Sequence, residues 1–224
     1  MADLHLGGVS GSGRARFGKG WGDHRERIEE NWRALVRPGD LVLMPGDVSS
    51  ARSHREVQPD LAWLDRLPGW KVLSRGNHDR WWNRVEAVRP MLRRSQRAVD
   101  GDAVEVGGMV VCGTLGVPPR CSDPAEEARQ LAALDRALAE ADRLRTAGSP
   151  VFVLWHYPPF DRNREPGPVV DRLESAGVAA CVYGHVHRRS DWSLQVQGVV
   201  GRVRYACVAA DAIGFRPLRI GDWA

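Results

Sequence analysis

The 224-residue sequence lacks the features of membrane-spanning and disulfide-stabilised proteins. It has no run of eighteen apolar residues, so no transmembrane helix is predicted. Residues 1–20 are glycine-rich and basic without an apolar segment, which argues against a secretory signal. The four cysteines form no C-x-x-C pair, which excludes a zinc ribbon and disfavours a disulfide scaffold. We therefore expect a protein of the reducing cytoplasm.

Nucleotide-binding motifs and a strong basic charge are also lacking. The glycine-rich stretch 7–22 contains neither G-x-G-x-x-G nor G-x-x-x-x-G-K-[ST], which disfavours a dinucleotide-binding fold and a P-loop. The net charge of +4 is too mild for bulk nucleic-acid binding. Only Lys19 and Lys71 are lysines. Arginine suits phosphate recognition, but it predominates along the whole chain, which is typical of a GC-rich coding sequence.

Short apolar runs alternate with helical patterns along the chain, which predicts one layered α/β domain over residues 1–224. Continuous apolar runs indicate strands covered on both faces. Amphipathic spacing of apolar residues indicates helices. The longest predicted helix begins with Asp123 as the cap and Pro124 at the first position, and Gly148 ends it. The predicted strands cover residues 41–44, 71–73, 109–112, 151–155, 179–183 and 203–208, and the predicted helices cover 23–36, 59–67 and 123–147.

Histidine and aspartate residues collect where the predicted strands end. Ligand sites in parallel α/β sheets form beyond the carboxyl ends of the strands, so we expect these side chains to converge. Aspartate, imidazole and amide groups suit a divalent ion such as Mn, Fe or Zn. A carboxylate at a strand end can bridge two such ions, and Asp47 is the natural candidate. The motifs are Asp3-x-His5, Gly46-Asp47, Gly76-Asn77-His78-Asp79, His156 and Gly184-His185-x-His187.

This ordered motif set resembles the calcineurin-like metallophosphoesterases over nearly the whole chain. Within this family, the residues next to the motifs resemble those of a bacterial subgroup of predicted phosphohydrolases. These residues are Phe17-Gly18, Trp21, His24 and Trp81-Trp82. The resemblance implies a β-sandwich of two mixed sheets flanked by helices. It also implies two divalent metal ions, with manganese favoured. One ion would be held by Asp3, His5, Asp47 and His187, and the other by Asp47, Asn77, His156 and His185.

The resemblance also implies a reaction, the hydrolysis of a small phosphate ester. A hydroxide bridging the two metals would be the nucleophile. His78, which is not a ligand in this family, would stabilise the phosphoryl oxygens and protonate the leaving oxygen. Asp79 would hold the imidazole ring of His78 by a hydrogen bond. Whether the substrate is a monoester or a diester stays open, as do the metal identity and the oligomeric state.

The sequence departs from the family pattern at its first strand. Only Met1 and Ala2 precede Asp3, where the family has about six apolar residues. We interpret this as a truncated or misplaced start, so that the first strand is missing. Asp3 and His5 would then be poorly anchored at a mobile terminus, and the first metal position would be less secure than the second.

Two other functions compete with ester hydrolysis. A protein-binding scaffold on the same fold would have lost metal ligands, whereas all seven ligand positions and His78 are present here. A nuclease would show steep salt dependence, and the mild charge argues against it. Arg14, Arg16 and Lys19, in the loop after His5, could contact a substrate phosphate or form a solvated loop.

Overall fold

The computed structural model describes residues 1–7 and 18–221. The expected phosphate contacts of Arg14, Arg16 and the side chain of Lys19 lie outside the described part. The described residues form nine strands in two sheets. The strands are β1 (Leu41–Pro45), β2 (Trp70–Ser74), β3 (Gln96–Ala98), β4 (Asp102–Val106), β5 (Met109–Thr114), β6 (Val151–Trp155), β7 (Ala180–Tyr183), β8 (Gly198–Val200) and β9 (Val203–Cys207).

The smaller sheet has the order β1-β2-β3 and is entirely parallel. The larger sheet has the order β4-β5-β6-β7-β9-β8 and is mixed, with antiparallel pairs only at its two edges. The chain therefore has the predicted fold of two sheets flanked by helices, although only the six-stranded sheet is mixed.

Six α-helices lie in the described residues, and none is long and apolar enough to cross a membrane. The second helix begins five residues before the predicted start. Ser53 caps this helix, since its side chain accepts a hydrogen bond from Glu56 N. The Glu56 carboxylate in turn accepts from Arg52 N. Pro59 therefore lies inside the helix. The helices are α1 (His24–Leu35), α2 (His54–Asp65), α3 (Val85–Val88), α4 (Pro124–Leu144), α5 (Val170–Ser175) and α6 (Arg189–Trp192).

The two sheets pack face to face, and helices cover their outer faces. Leu43 and Val72 of the smaller sheet meet Phe152 and Val182 of the larger one in an apolar middle layer. A second layer joins β1–β3 to α1 and α2, and a third joins the larger sheet to α4 and α5. Strands covered on both faces need the continuous apolar runs that the sequence shows.

The first residues lie between the two sheets and are buried. Asp3 and His5 are 0% and 1% exposed. Asp3 N donates to Gly46 O, and His5 N donates to Asp47 O, both at 3.0 Å. Ala2 N donates to Val208 O on the side of the larger sheet. No strand precedes β1 in residues 1–7 and 18–40, but the prediction that Asp3 and His5 are poorly anchored is wrong, because loop backbone holds both.

The four cysteines are free thiols. Cys112, Cys181 and Cys207 lie in the apolar layer between the larger sheet and its helices. Burial raises the pKa of Cys112 and of Cys207 to about 12, so these thiols stay protonated at neutral pH. They pack as small core residues.

Replacing Asp123 with alanine should lower the free energy of unfolding by about 1 kcal/mol. Its carboxylate accepts hydrogen bonds from Ala125 N and Glu126 N at the start of α4, and both donors would lose this partner. Urea denaturation measures the change. Asp142→Ala, at an exposed ion pair with Arg145 on the same helix, is the matched control and should change stability by less than about 0.5 kcal/mol. Equal effects would contradict the assigned cap.

Candidate metal centre

Five of the seven predicted ligands follow parallel strands at their carboxyl ends. Asp47 follows β1 and Asn77 follows β2, while His156 follows β6 and the pair His185 and His187 follows β7. Because the two sheets face each other, these loops meet at one edge of the sandwich. A hydrogen bond between His156 Nδ1 and Pro45 O, at 2.9 Å, connects the larger sheet to the smaller one. Asp3 and His5 reach the same place from the buried N-terminal segment.

One group of donors consists of Asp3, His5 and His187, whose ligand atoms all lie within 4.8 Å of one another. The two Nε2 atoms of His5 and His187 are 3.2 Å apart. His187 Nε2 lies 3.6 Å from Asp3 Oδ1, which is beyond hydrogen-bond distance. Asp3 Oδ1 is buried and accepts no hydrogen bond. A buried carboxylate oxygen without a donor is costly, and a cation at this place would remove that cost.

A second group consists of Asp3, Asp47 and His156, again with ligand atoms within 4.8 Å. Asp47 Oδ2 lies 3.7 Å from His5 Nε2 and 3.6 Å from His156 Nε2. The other oxygen, Oδ1, accepts a hydrogen bond of 2.7 Å from His78 N. Asp3 is the member that both groups share, and Asp47 of the second group also lies beside His5 of the first.

Asn77, His156 and His185 form a tight polar contact beside Asp47. Asn77 Oδ1 lies 2.7 Å from His156 Nε2 and 3.0 Å from His185 Nδ1. His156 Nδ1 faces the backbone carbonyl of Pro45, which leaves Nε2 directed at Asn77 and His185. The three side chains therefore direct nitrogen and oxygen atoms to one place, which fits a shared cation.

The local electrostatics favour the metal-binding forms of Asp3 and His185 but hold His187 in its protonated form. Burial would raise the pKa of Asp3, but the interactions with His187, His156 and His5 lower it to about 2. Burial, assisted by His156, lowers the pKa of His185 to about 4. At neutral pH Asp3 is therefore an anion and His185 is a neutral imidazole. Burial alone would lower the pKa of His187, but its hydrogen bond with Asp211 and its interaction with Asp3 raise it to about 10.

The backbone at the centre is strained. Asp3, His5, Asp47 and His185 adopt positive φ angles of 58°, 43°, 54° and 72°, a region that non-glycine residues rarely occupy. Such strain persists where the surrounding structure enforces it, and it clusters at functional sites.

The glycines of the motifs allow the loops to approach one another. A Cβ atom on Gly76 would lie 2.2 Å from Asp47 N, and one on Gly184 would lie 2.2 Å from Asp3 Oδ2. Both distances are far shorter than a real contact. The motifs therefore need glycine at these positions because the side chains and backbone of the ligand loops occupy the space.

His78 and Asp79 lie beside the ligand groups. The half-buried ring of His78 has its centroid 5.7 Å from that of His5. Asp79 is buried, and its carboxylate accepts four hydrogen bonds, from the backbone N–H groups of Asp47, Ser49 and Gly76 and from the Trp81 indole. Asp79 therefore fixes the loops after β1 and β2, rather than the ring of His78 as expected. Burial and the charge of Asp47 raise the pKa of Asp79 to about 7.

Two residues near the centre were missed by the sequence analysis as site residues. Asp211 Oδ2 lies 3.1 Å from His187 Nδ1. The buried indole of Trp21 lies 5.8 Å, between ring centroids, from both His5 and His187. Asp211 comes shortly after the predicted strand 203–208, which corresponds to β9. The expectation that ligand sites form beyond the carboxyl ends of strands could therefore have identified it. Trp21 was noted only for its likeness to a family subgroup.

The sequence model of the calcineurin-like phosphoesterase family matches residues 1–189. No curated protein matches the chain. Among solved structures, the phosphopantetheinyl hydrolase PptH from Mycobacterium tuberculosis is similar, with a TM-score of 0.53 and 14% identity over 93% of this chain and 88% of that one. A protein of unknown function from Aquifex aeolicus, AQ665, has a TM-score of 0.49 and 15% identity over 97% and 92% of the two chains. By the family match, the chain belongs to the calcineurin-like phosphoesterases.

Proposed function

We propose that this protein is a metal-dependent hydrolase of phosphate esters, a phosphodiesterase or a phosphomonoesterase, with a binuclear centre. The observation that carries the proposal is the convergence of Asp3, His5, Asp47, His156 and His187, in which Asp3 Oδ1 is buried without a hydrogen bond. A non-catalytic scaffold has no need of such a costly arrangement. The family membership and the similar fold of a named hydrolase agree with this function.

The donor set fits two divalent cations that accept oxygen and nitrogen ligands, such as Mn²⁺, Fe²⁺ or Zn²⁺, with manganese favoured. Cations bound here would neutralise phosphoryl oxygens and lower the pKa of water. Asp47 is the residue that both positions share. The first position would use Asp3, His5, Asp47 and His187, and the second would use Asp47, Asn77, His156 and His185.

His78 is the residue we assign to proton transfer. Its ring lies next to His5, with 5.7 Å between the ring centroids, and it is not among the seven residues proposed as ligands. The hydrogen bond from His78 N to Asp47 Oδ1 fixes its backbone relative to the centre. An imidazole placed at the edge of the centre can donate a proton to the leaving oxygen of the ester. Asp79 acts indirectly, because its hydrogen bonds hold Asp47 in place.

Asp211 is a positioning residue for His187. With Nδ1–H directed at Asp211 Oδ2, the His187 ring turns Nε2 toward Asp3 and His5. Because the pKa of His187 is raised to about 10, a cation bound here would have to displace the Nε2 proton. Carboxylate partners of this kind fix the tautomer and the orientation of a metal-binding histidine. The segment that carries Asp211 is itself attached to the centre, since Ala210 N donates to Ala2 O.

The purified protein should hydrolyse 4-nitrophenyl phosphate or bis(4-nitrophenyl) phosphate in the presence of Mn²⁺. The centre needs its cations to neutralise the phosphoryl oxygens, so excess chelator should reduce the rate by more than about 100-fold. Absorbance of nitrophenolate measures turnover. Adding Mn²⁺ back after the chelator is removed is the control, and it should restore the rate. Metal-independent turnover, or none on either ester with any of the three metals, would contradict the proposal.

His78→Ala should reduce kcat by about 10²–10⁴-fold, because the proton donor to the leaving oxygen is lost. The variant should still bind the same number of metal ions, as measured by elemental analysis of the purified protein. His54→Ala, at the start of α2 and outside the donor groups, is the matched control and should keep full activity. Unchanged turnover in His78→Ala would exclude the assigned role.

Asp211→Ala should weaken metal binding by about 10–100-fold, because His187 loses the partner that orients its ring. Calorimetric titration of the metal-free protein with Mn²⁺ measures the affinity directly, without reference to activity. Asp142→Asn, on the exposed face of α4, serves as the control for removal of one negative charge. Equal affinities in all three proteins would show that Asp211 does not position His187.

A further inference from the structure

A pocket of about 750 Å³ opens beside the candidate metal centre. We call it the lateral pocket and define it by Pro118, Tyr157, Phe160, His185, His187 and Arg188, which lie along its wall. His187 belongs to the first donor group, and His185 contacts Asn77 and His156 of the centre. Both residues also line the pocket. A phosphate ester whose phosphoryl group reached the centre could therefore place the rest of its structure in this pocket.

One part of the lateral pocket is apolar. Pro118, Pro158 and Phe160 contribute carbon surface, and the half-buried ring of Tyr157 lies 4.4 Å, between centroids, from the ring of His185. Burial raises the pKa of Tyr157, so its hydroxyl stays neutral and does not add a negative charge. An apolar wall with an aromatic ring next to the centre suits an organic substituent on the phosphate, since ligand pockets are lined mainly in this way.

The charged part of the pocket has one uncompensated cation. Arg162 pairs with Asp191 at 2.8 Å, and Arg120 pairs with Asp161. Arg188 directly follows His187, is exposed, and pairs with no carboxylate among residues 1–7 and 18–221. With three arginines and two aspartates along its wall, the pocket has a formal charge of +1, apart from the histidines. One free guanidinium suits a single small anion and falls short of what a polyanion such as nucleic acid requires.

Building on the proposed function, we propose that the lateral pocket binds the organic part of a phosphate ester that carries a second anionic group, with Arg188 as the specificity-determining residue. Guanidinium groups recognise carboxylate and phosphate oxygens through paired N–H donors. The substrate class is therefore an ester with two anionic groups, one at the metal centre and one at Arg188, joined by an organic linker.

A matched pair of aryl esters tests this assignment. The 4-nitrophenyl and 4-carboxyphenyl esters, of whichever ester class the protein hydrolyses, have nearly the same shape but differ in charge. The wild-type protein should have a KM about fivefold lower for the carboxylated ester, as expected for one solvent-accessible ion pair. Arg188→Ala should remove this preference by raising only the KM for the carboxylated ester, and Arg188→Glu should reverse it. High salt should reduce the difference between the KM values of the two esters in the wild-type protein, because it screens the ion pair.

Arg189→Ala is the control variant. Arg189 is the next residue in the chain and lies over the Trp192 ring, 5.9 Å from its centroid, but it does not line the pocket. It should leave both KM values unchanged. A wild-type protein with the same KM for both esters, or an Arg188→Ala variant that weakens both esters equally, would overturn the assignment.

A binding measurement separates this inference from the proposed hydrolysis. Benzylphosphonate and 4-carboxybenzylphosphonate resemble the two esters but cannot be hydrolysed, and calorimetry gives their Kd values for the Mn²⁺-loaded protein. A carboxylate preference that depends on Arg188, together with no ester turnover, would refute the hydrolase and retain the pocket assignment. Turnover without any such preference in Kd or KM would retain the hydrolase and refute the pocket assignment.

Discussion

The buried carboxylate of Asp79 is the interaction on which the candidate centre most depends. It accepts hydrogen bonds from the backbone N–H groups of Asp47 and Ser49 in one loop and of Gly76 in the next. Burying a carboxylate is costly unless donors surround it, and here they come from both loops. Because Gly76 has no side chain, the loops can approach closely enough for one carboxylate to join them. The positions of Asp47 and Asn77, and through Pro45 that of His156, follow from this junction.

The sequence predicted the strands with continuous buried runs and missed three edge strands. β1 also lies at an edge, but it was predicted because four of its five residues are buried. The predicted strands became β1, β2, β5, β6, β7 and β9, whose buried faces require continuous apolar runs. The missed strands, β3, β4 and β8, each lie at an edge of a sheet. An edge strand is partly solvated and tolerates charged residues, as Arg97 of β3 and Glu105 of β4 illustrate. In β3 the charged Arg97 directly follows Gln96, which is buried, so the strand shows no continuous apolar run.

The sequence predicted those site residues that lie directly after a recognisable strand. Asp47, Asn77, His156 and His185 each lie in a short loop after a predicted strand, so their convergence could be anticipated. Contacts that depend on tertiary packing could not be predicted from the sequence. The burial of Asp3 depends on backbone partners from distant loops, and the partners of the Asp79 carboxylate depend on how closely two loops pack. No local pattern encodes either arrangement.

If the centre binds cations as proposed, the left-handed backbone of Asp3, His5, Asp47 and His185 links the folding equilibrium to the supply of these ions. Each such conformation costs about 1–3 kcal/mol, and the native fold must overcome that cost before any ion arrives. Ions that bind only the native state stabilise it by mass action, by about 2.7 kcal/mol at a concentration 100 times the Kd. Metal limitation would then reduce the amount of folded protein as well as its activity. A descendant that lost the ligands could relax these four residues and become more stable.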